Sequence, residues 1–255
     1  MAEERSDGPE NYIRPELLEK TPLRGIFTPS AVISRPWLEY AYSHGVFPMA
    51  LTEDPESVIW MYPDERAVFF QERIRPSLSM MKFMRRSLDA YTVWINRRPR
   101  DVIRACMEVH GREEDTWIND DFVRIYPSMP NYVSVEVCDR DDRLVGGLYG
   151  LALGRLFAGE SMFSLETNVS KLAFHMMMLQ CRLFGMECFD SQIINPHTRS
   201  LGCEVIANRI YRKILNENVR RQIPEGFLRM RQIYPDPALS REDFLDRLLT
   251  LFAPV

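Results

Sequence analysis

A chain of 255 residues with 45% hydrophobic and 27% charged positions can bury a large core, and this composition excludes the disordered, collagenous and low-complexity classes. The net charge of −4 argues against a protein coated in nucleic acid but allows a local basic patch. No apolar run reaches the ~18 residues that cross a bilayer, and the start "MAEERSDGPENY" is acidic and polar where a secretory signal is basic and then apolar, so the expected compartment is the cytoplasm.

Residues 1–21 carry charge and little apolar pattern, as expected of a loosely held arm. A small first domain is expected over 22–73. In it "PSAVISRPWLEYAYSHGVFPM" has helical spacing through Leu38, Tyr42 and Val46 and stop signals at Gly45 and Pro48. "SVIWMYPDERAVFF" then reads as two short strands around the turn "YPDE". A second domain is expected over 74–217. "SLSMMKFMRRS" is helical, "AYTVWIN" a strand, and "PRDVIRACMEVH" a helix with Gly111 as its stop. "YVSVEVCD", "LVGGLYGLALG" and "RLFAGESMF" make a strand meander whose glycines suggest bulges or close backbone approach.

A helix from Asn168, read as its cap, to Phe184 follows, and then the strand "ECFDSQII". "PHTRSLG" is a short helix, and "CEVIANRIYRKIL" a strand leading into a terminal element. The extension over 218–255 closes with "SREDFLDRLLTLF", an amphipathic helix capped by Ser240. The order of elements is α+β with one central mixed sheet.

Cysteines at 106, 138, 181, 188 and 203 form no CxxC pair and lie apart from the four histidines, which points to free buried thiols and against zinc. Lys82, Arg85, Arg86, Arg97, Arg98, Arg100 and Arg104 fall within 23 positions, either a polyanion patch or a solvated helix face beside a loop.

The motifs "HGVFPM", "TWI", "GGLYGLALGRLFAGESMFS", "NVSK" and "DSQIINPHTRSLG" together resemble the leucyl/phenylalanyl-tRNA-protein transferase family over roughly residues 22–217. The resemblance implies a small N-terminal α+β domain joined to an acetyltransferase (GNAT)-like domain. It implies transfer of Leu, Phe or Met from charged tRNA to the N-terminal amine of a protein, typically one beginning with Lys or Arg, which marks the acceptor for degradation. A monomer is expected.

The residues are consistent with that chemistry. "GESMFSLETN" stands where an acetyltransferase carries its glycine-rich pyrophosphate cradle, and Met162 and Phe163 with Glu160 and Glu166 would crowd and repel a pyrophosphate, so coenzyme A is a poor ligand. Phe174, Met177 and Cys181, spaced i, i+3, i+7, form one helical stripe. Such a stripe is core or pocket wall; the resemblance makes it, with Leu148 and Met162, the pocket for the aminoacyl side chain. Glu160 at the pocket mouth could bind the α-ammonium of the esterified amino acid, a charged hydrogen bond worth ~1.5–3 kcal/mol. The resemblance implies that Trp117 stacks the terminal adenosine, that Tyr42 and Tyr126 occupy family positions, and that Met49 stands where some members carry a second stacking tryptophan. It assigns tRNA binding to Lys82, Arg85 and Arg86.

On a strand, Asp190, Gln192 and Ile194 point to one face. The resemblance makes Asp190 and Gln192 the catalytic pair, with Asn195 the next polar residue. Aminolysis of an ester that is already activated needs neither ATP nor metal, so no cofactor is expected. An N-terminal amine of pKa ~7.7–8.0 is roughly a tenth neutral at pH 7, so positioning outweighs deprotonation. Gln192 is therefore expected to hydrogen-bond the attacking amine, and Asp190 to orient Gln192 and stabilise charge on the nitrogen. Pro127 and Pro130 are expected to break the helix that the family runs after "TWI", and Leu165 replaces a family Arg. An acetyltransferase-like enzyme with another acyl donor, and a degenerate protein that binds tRNA or N-terminal peptides without transfer, are the alternatives.

Overall fold

The computed structural model describes residues 8–51, 53–54, 56–112 and 116–252. β1 (Gly25–Pro29), β2 (Phe47–Ala50) and β3 (Ser57–Met61) form an antiparallel three-stranded sheet with β3 in the middle. The helices α1 (Pro15–Leu18) and α2 (Arg35–Ser43) accompany it, and Gly45 ends α2 with φ +79°, the left-handed turn that glycine takes without strain. Ile13 and Leu18 are buried in one cluster with Leu38, Tyr42 and Trp60. Residues 8–21 are therefore held by core contacts and are not the loose arm their composition suggests; residues 1–7 lie outside the described residues.

The larger sheet has eight strands: β4 (Glu65–Phe70), β5 (Thr92–Ile95), β6 (Tyr132–Cys138), β7 (Leu144–Leu153), β8 (Leu156–Ser164), β9 (Cys188–Asp190), β10 (Glu204–Ala207) and β11 (Arg231–Tyr234). Their spatial order is β10-β4-β9-β8-β7-β6-β5-β11, antiparallel throughout except for the parallel pair β8 and β9. The intervening helices are α3 (Leu78–Ser87), α4 (Pro99–Arg112), α5 (Asp120–Ile125), α6 (Val169–Leu183), α7 (Pro196–Ser200), α8 (Asn208–Asn218) and α9 (Arg241–Leu251). α6 is the crossover that a parallel β8–β9 pair requires. The mixed α+β order and the meander are as expected.

Sheet pairing differs from the sequence reading in three places. β3 and β4 do not form a hairpin, because β4 sits inside the larger sheet between β10 and β9. Four consecutive β4 residues, Arg66 to Phe69, are buried, and a short two-stranded hairpin cannot cover both of its own faces. Residues 65–70, assigned by sequence to the first domain, thus belong to the second sheet. β11, unrecognised in the sequence, adds an edge strand beside β5, so the extension after residue 218 is part of the same core. The strand expected over "ECFDSQII" ends at Asp190, after three residues.

Two apolar clusters cover the two faces of the large sheet. Val133, Val135 and Val137 pack with α6 residues on one side, while Tyr132, Tyr149 and Leu151 pack with α4 and α5 residues on the other. β6 is consequently buried at every position despite its alternating sequence. Asn168 does not cap α6 with its side chain. It adopts φ +69°, and Ser164 Oγ accepts the Ser170 N–H instead at 3.0 Å. Helix α4 runs through Gly111 to Arg112, and α5 ends just before Pro127, as the proline demands.

Candidate active site

Glu160 owes its position to a β-bulge. On β7 and β8, Tyr149 pairs with Ser161 and Gly150 with Gly159, so Glu160 is the extra residue on β8. Two glycines face each other there because nothing larger fits: a Cβ on Gly150 would lie 2.0 Å from the Ala158 carbonyl oxygen, and one on Gly159 2.1 Å from the Phe189 ring. A bulge re-aims a side chain, here that of an acid within an otherwise apolar ladder. The glycine spacing of the sequence was the signal for it.

Register brings Gln192 to Glu160. Ala158 pairs with Asp190 in the parallel β8–β9 ladder, so residues 160 and 192 each lie two positions further along neighbouring chains. The Gln192 Nε2 donates to Glu160 Oε1 at 2.8 Å. Gln192 itself has φ +53°, a left-handed conformation that costs a non-glycine residue ~1–2 kcal/mol. Backbone bonds hold it: Ala67 N–H donates to the Gln192 carbonyl at 3.0 Å, and Ser191 N–H to the Ala67 carbonyl at 2.8 Å. Asp190 Oδ1 accepts the Gln192 backbone N–H at 2.9 Å.

Asp190 is fully buried and does not share a face with Gln192 in the manner of strand alternation. Both its oxygens meet the Arg66 guanidinium, at 2.8 and 2.6 Å, and Oδ2 also accepts the Tyr211 hydroxyl at 2.7 Å. Arg66 lies between the rings of Phe47 and Tyr211, 4.6 and 4.5 Å from their centroids, and donates to the Gly45 carbonyl at 3.0 Å. Burial works against the Arg66 charge, but Asp190 outweighs it and raises the guanidinium pKa further. Arg66 and Tyr211 are the site residues that sequence reasoning missed. The available signal was an arginine inside the otherwise apolar "RAVFF".

Glu160 makes no ion pair among the described residues, and the Arg66 charge acts on it only from beyond contact. Tyr126 Oη donates to Oε2 at 3.4 Å, and Tyr42 and Tyr126 share a hydroxyl–hydroxyl bond of 2.6 Å behind it. Burial pushes the Glu160 carboxyl up to about 8, with the hydrogen bond from Tyr42 opposing and the Asp190 charge adding to the rise.

The Glu160–Gln192 pair lines a cavity of about 590 Å³ that also takes in Phe47, Met49, Trp117, Leu148 and Met162. Trp117 stands beside Met49 because its carbonyl accepts the Ala50 N–H at 3.0 Å. Asn195 lines the cavity too, but its side chain is occupied in capping α7, accepting the Thr198 N–H at 2.8 Å. Tyr42 and Tyr126 support Glu160 from the core. Phe174, Met177 and Cys181 do not reach the cavity and are completely buried; Phe174 packs behind Phe189 with ring centroids 5.7 Å apart. A helix between a sheet and further chain buries its inward stripe in core before any part of it can line a surface hollow.

Lys82, Arg85 and Arg86 are exposed on α3 and make no ion pair among the described residues. Arg97 and Arg98 instead bind Asp142, which splits the basic cluster. Leu165 is exposed beside the start of α6. No group of three or more His, Cys, Asp or Glu among the described residues could hold a metal ion, and no helix there is long and apolar enough to cross a membrane.

A model of the leucyl/phenylalanyl-tRNA protein transferase family matches residues 68–216, more than half of the chain. The chain belongs to this family. A leucyl/phenylalanyl-tRNA–protein transferase of Shewanella piezotolerans is 39% identical over 207 residues, covering 79% of this chain and 80% of that protein. Proteins of the same name from Aliivibrio fischeri and Aliivibrio salmonicida are 38% identical over 196 residues and 40% over 183, covering 76% and 71% of this chain and 80% and 73% of theirs. A solved structure of L-PGS from Bacillus licheniformis overlays with a TM-score of 0.38 at 11% identity, over 59% of this chain and 48% of that one, too loosely to define a common fold. The matched family span contains Trp117, Tyr126, Glu160, Asp190 and Gln192, whereas Tyr42, Met49 and Arg66 precede it.

Proposed function

We propose that this chain moves a leucyl, phenylalanyl or methionyl group from charged tRNA to the N-terminal amine of an acceptor protein, which marks the acceptor for degradation. The observation that carries the reading is the Glu160–Gln192 pair on the wall of a largely apolar cavity, in a member of this family. The aminoacyl side chain lies against Leu148 and Met162, its ammonium group meets Glu160, and the adenine stacks on Trp117 with Met49 at its edge. An arriving ammonium favours the ionised form of Glu160, so binding supplies the counter-charge of that carboxylate.

Because Gln192 spends Nε2 on Glu160, its Oε1 is left to accept an N–H from the incoming amine. That amine nitrogen attacks the ester carbonyl carbon. The C–N bond forms, the nitrogen loses a proton, and the bond to the ribose oxygen breaks as that oxygen takes up a proton. Asp190 acts as a positioning residue through the Gln192 backbone, since Arg66 and Tyr211 occupy its oxygens. No cofactor enters these steps.

An antiparallel meander, then α6, then a parallel β9 supports an acetyltransferase (GNAT)-type second domain after a small α+β first domain. Exposed Lys82, Arg85 and Arg86 suit the tRNA backbone. We also assign a monomer, acceptors beginning with Lys or Arg, and the cytoplasm. The test is incubation with labelled Leu-, Phe- and Met-tRNA and peptides that differ only at residue one. Label on the peptide amine supports the assignment; labelled peptide from acetyl-coenzyme A and none from any charged tRNA overturns it.

A further inference from the structure

A second, smaller hollow of about 200 Å³ is lined by Arg73, Arg75, Ser77, Lys171, His175 and Ser200. It adjoins the main cavity along two helices. α6 gives Ser170 to the cavity and the next residue, Lys171, to the hollow; α7 gives Thr198 to the cavity and Ser200 to the hollow. Consecutive Cα atoms are ~3.8 Å apart, so the two hollows are near neighbours along these helices.

The chemistry of the hollow is that of an anion site. Arg73 is held by Glu204 at 2.7 Å and lies 3.9 Å from Glu72, which removes most of its charge from consideration. Arg75 donates only to the Ile74 carbonyl, and neither Arg75 nor Lys171 has a carboxylate partner among the described residues. The first turn of α3 opens there, with Ser77 accepting the Met80 N–H at 3.2 Å and the preceding helix amides left without intrahelical acceptors. His175 supplies the independent observation: it is 3% exposed, it lines the hollow, and its buried Nδ1 has no hydrogen-bond partner. A buried ring nitrogen without a hydrogen-bond partner costs ~1–3 kcal/mol. An anion bound between Lys171 and Arg75 gives the Nδ1–H tautomer of His175 an acceptor.

We infer that this hollow takes a backbone phosphate of the RNA carrier, placed between the cavity that receives the 3′ end and the Lys82–Arg85–Arg86 face of α3. The inference rests on the tRNA reading above. α3 runs from the hollow, which it meets at Ser77 and Met80, directly to those three cations, so a single helix carries the RNA backbone outward. The cavity itself presents an acid and apolar walls, which leaves the phosphates next to the terminal nucleoside to be neutralised elsewhere.

The test titrates the full chain, and its Lys171→Ala and Arg75→Ala variants, with uncharged tRNA across a series of salt concentrations. Each variant is expected to bind about tenfold more weakly, and its salt slope to fall by about 1. In parallel, an acceptor-stem RNA carrying one uncharged methylphosphonate linkage near the 3′ end is compared with its parent. One linkage should weaken wild-type binding and leave the Lys171→Ala variant unaffected. Unchanged affinity and slope in both variants overturn the inference even where wild-type transfer is intact. So does a hollow that binds inorganic phosphate while the variants hold tRNA as wild type does. Wild-type protein that binds no tRNA overturns the underlying reading as well.

Discussion

The floor and the mouth of the active site each hold one buried acid, and the two acids differ in what faces them. Asp190 on the floor has a guanidinium on both oxygens and a phenol besides. Glu160 at the mouth has an amide and phenols, and its carboxyl rises to about 8. Burial penalises both charges, but only the floor compensates within the chain. The floor is therefore finished on folding, whereas in the proposed reaction the mouth is completed by the ammonium group of the substrate.

The sharpest way to break this comparison is at Arg66. Arg66→Met leaves Asp190 as an uncompensated buried charge and should destabilise the protein by ~3–5 kcal/mol in denaturant titrations. Arg66→Met combined with Asp190→Leu should recover most of that loss without restoring turnover; a double variant as unstable as the single one means that the floor is not a compensated pair.

Next in size is Gln192→Ala, expected to lower kcat about 100-fold with the affinity for charged tRNA nearly unchanged. Equal losses in both quantities contradict the split between positioning the amine and binding the ester.

At the mouth, Glu160→Gln should weaken binding of charged tRNA by ~1.5–3 kcal/mol and leave uncharged tRNA unaffected. The pH dependence separates it from the floor. The folded pKa of Glu160 lies above the unfolded 4.5, so the native state holds the extra proton between about 4.5 and 8, and stability falls as pH rises through that window. Glu160→Gln should remove this fall and be more stable than wild type at pH 8.5, by an amount on the order of 3 kcal/mol. Thermal melts from pH 5 to about 9 read it directly.

The smallest effects belong to the rim. Trp117→Ala should cost ~1–3 kcal/mol in tRNA binding, and Met49→Trp should strengthen it by about 1 kcal/mol by supplying a second stacking face. Fluorescence titration with a CCA-ended RNA checks both.

Much of this site was legible in the residue string. Glu160 stood out as an acid in a glycine-spaced apolar ladder, whereas its pairing with Gln192 did not, because it depends on the register between β8 and β9. The stripe Phe174, Met177 and Cys181 misled because helical spacing reports a buried face and not what that face is buried against. Asp190 and Gln192 misled in the other direction: strand alternation put them on one face, but the ladder stops at Asp190 and the left-handed Gln192 turns its side chain to Glu160.

The sequence by itself determined the mixed α+β class, the helices and strands of strong period, the glycine-forced bulge and the family, because each is written in local spacing or local sterics. Only the tertiary structure decided that Arg66 sits under Asp190, that β3 and β4 part into different sheets, and that the extension after residue 218 completes the core. Those outcomes depend on contacts between residues as much as 156 positions apart, such as the Arg241 guanidinium on the Arg85 carbonyl. No local pattern encodes a partner that distant; the free energy of burying both faces of one sheet selects it.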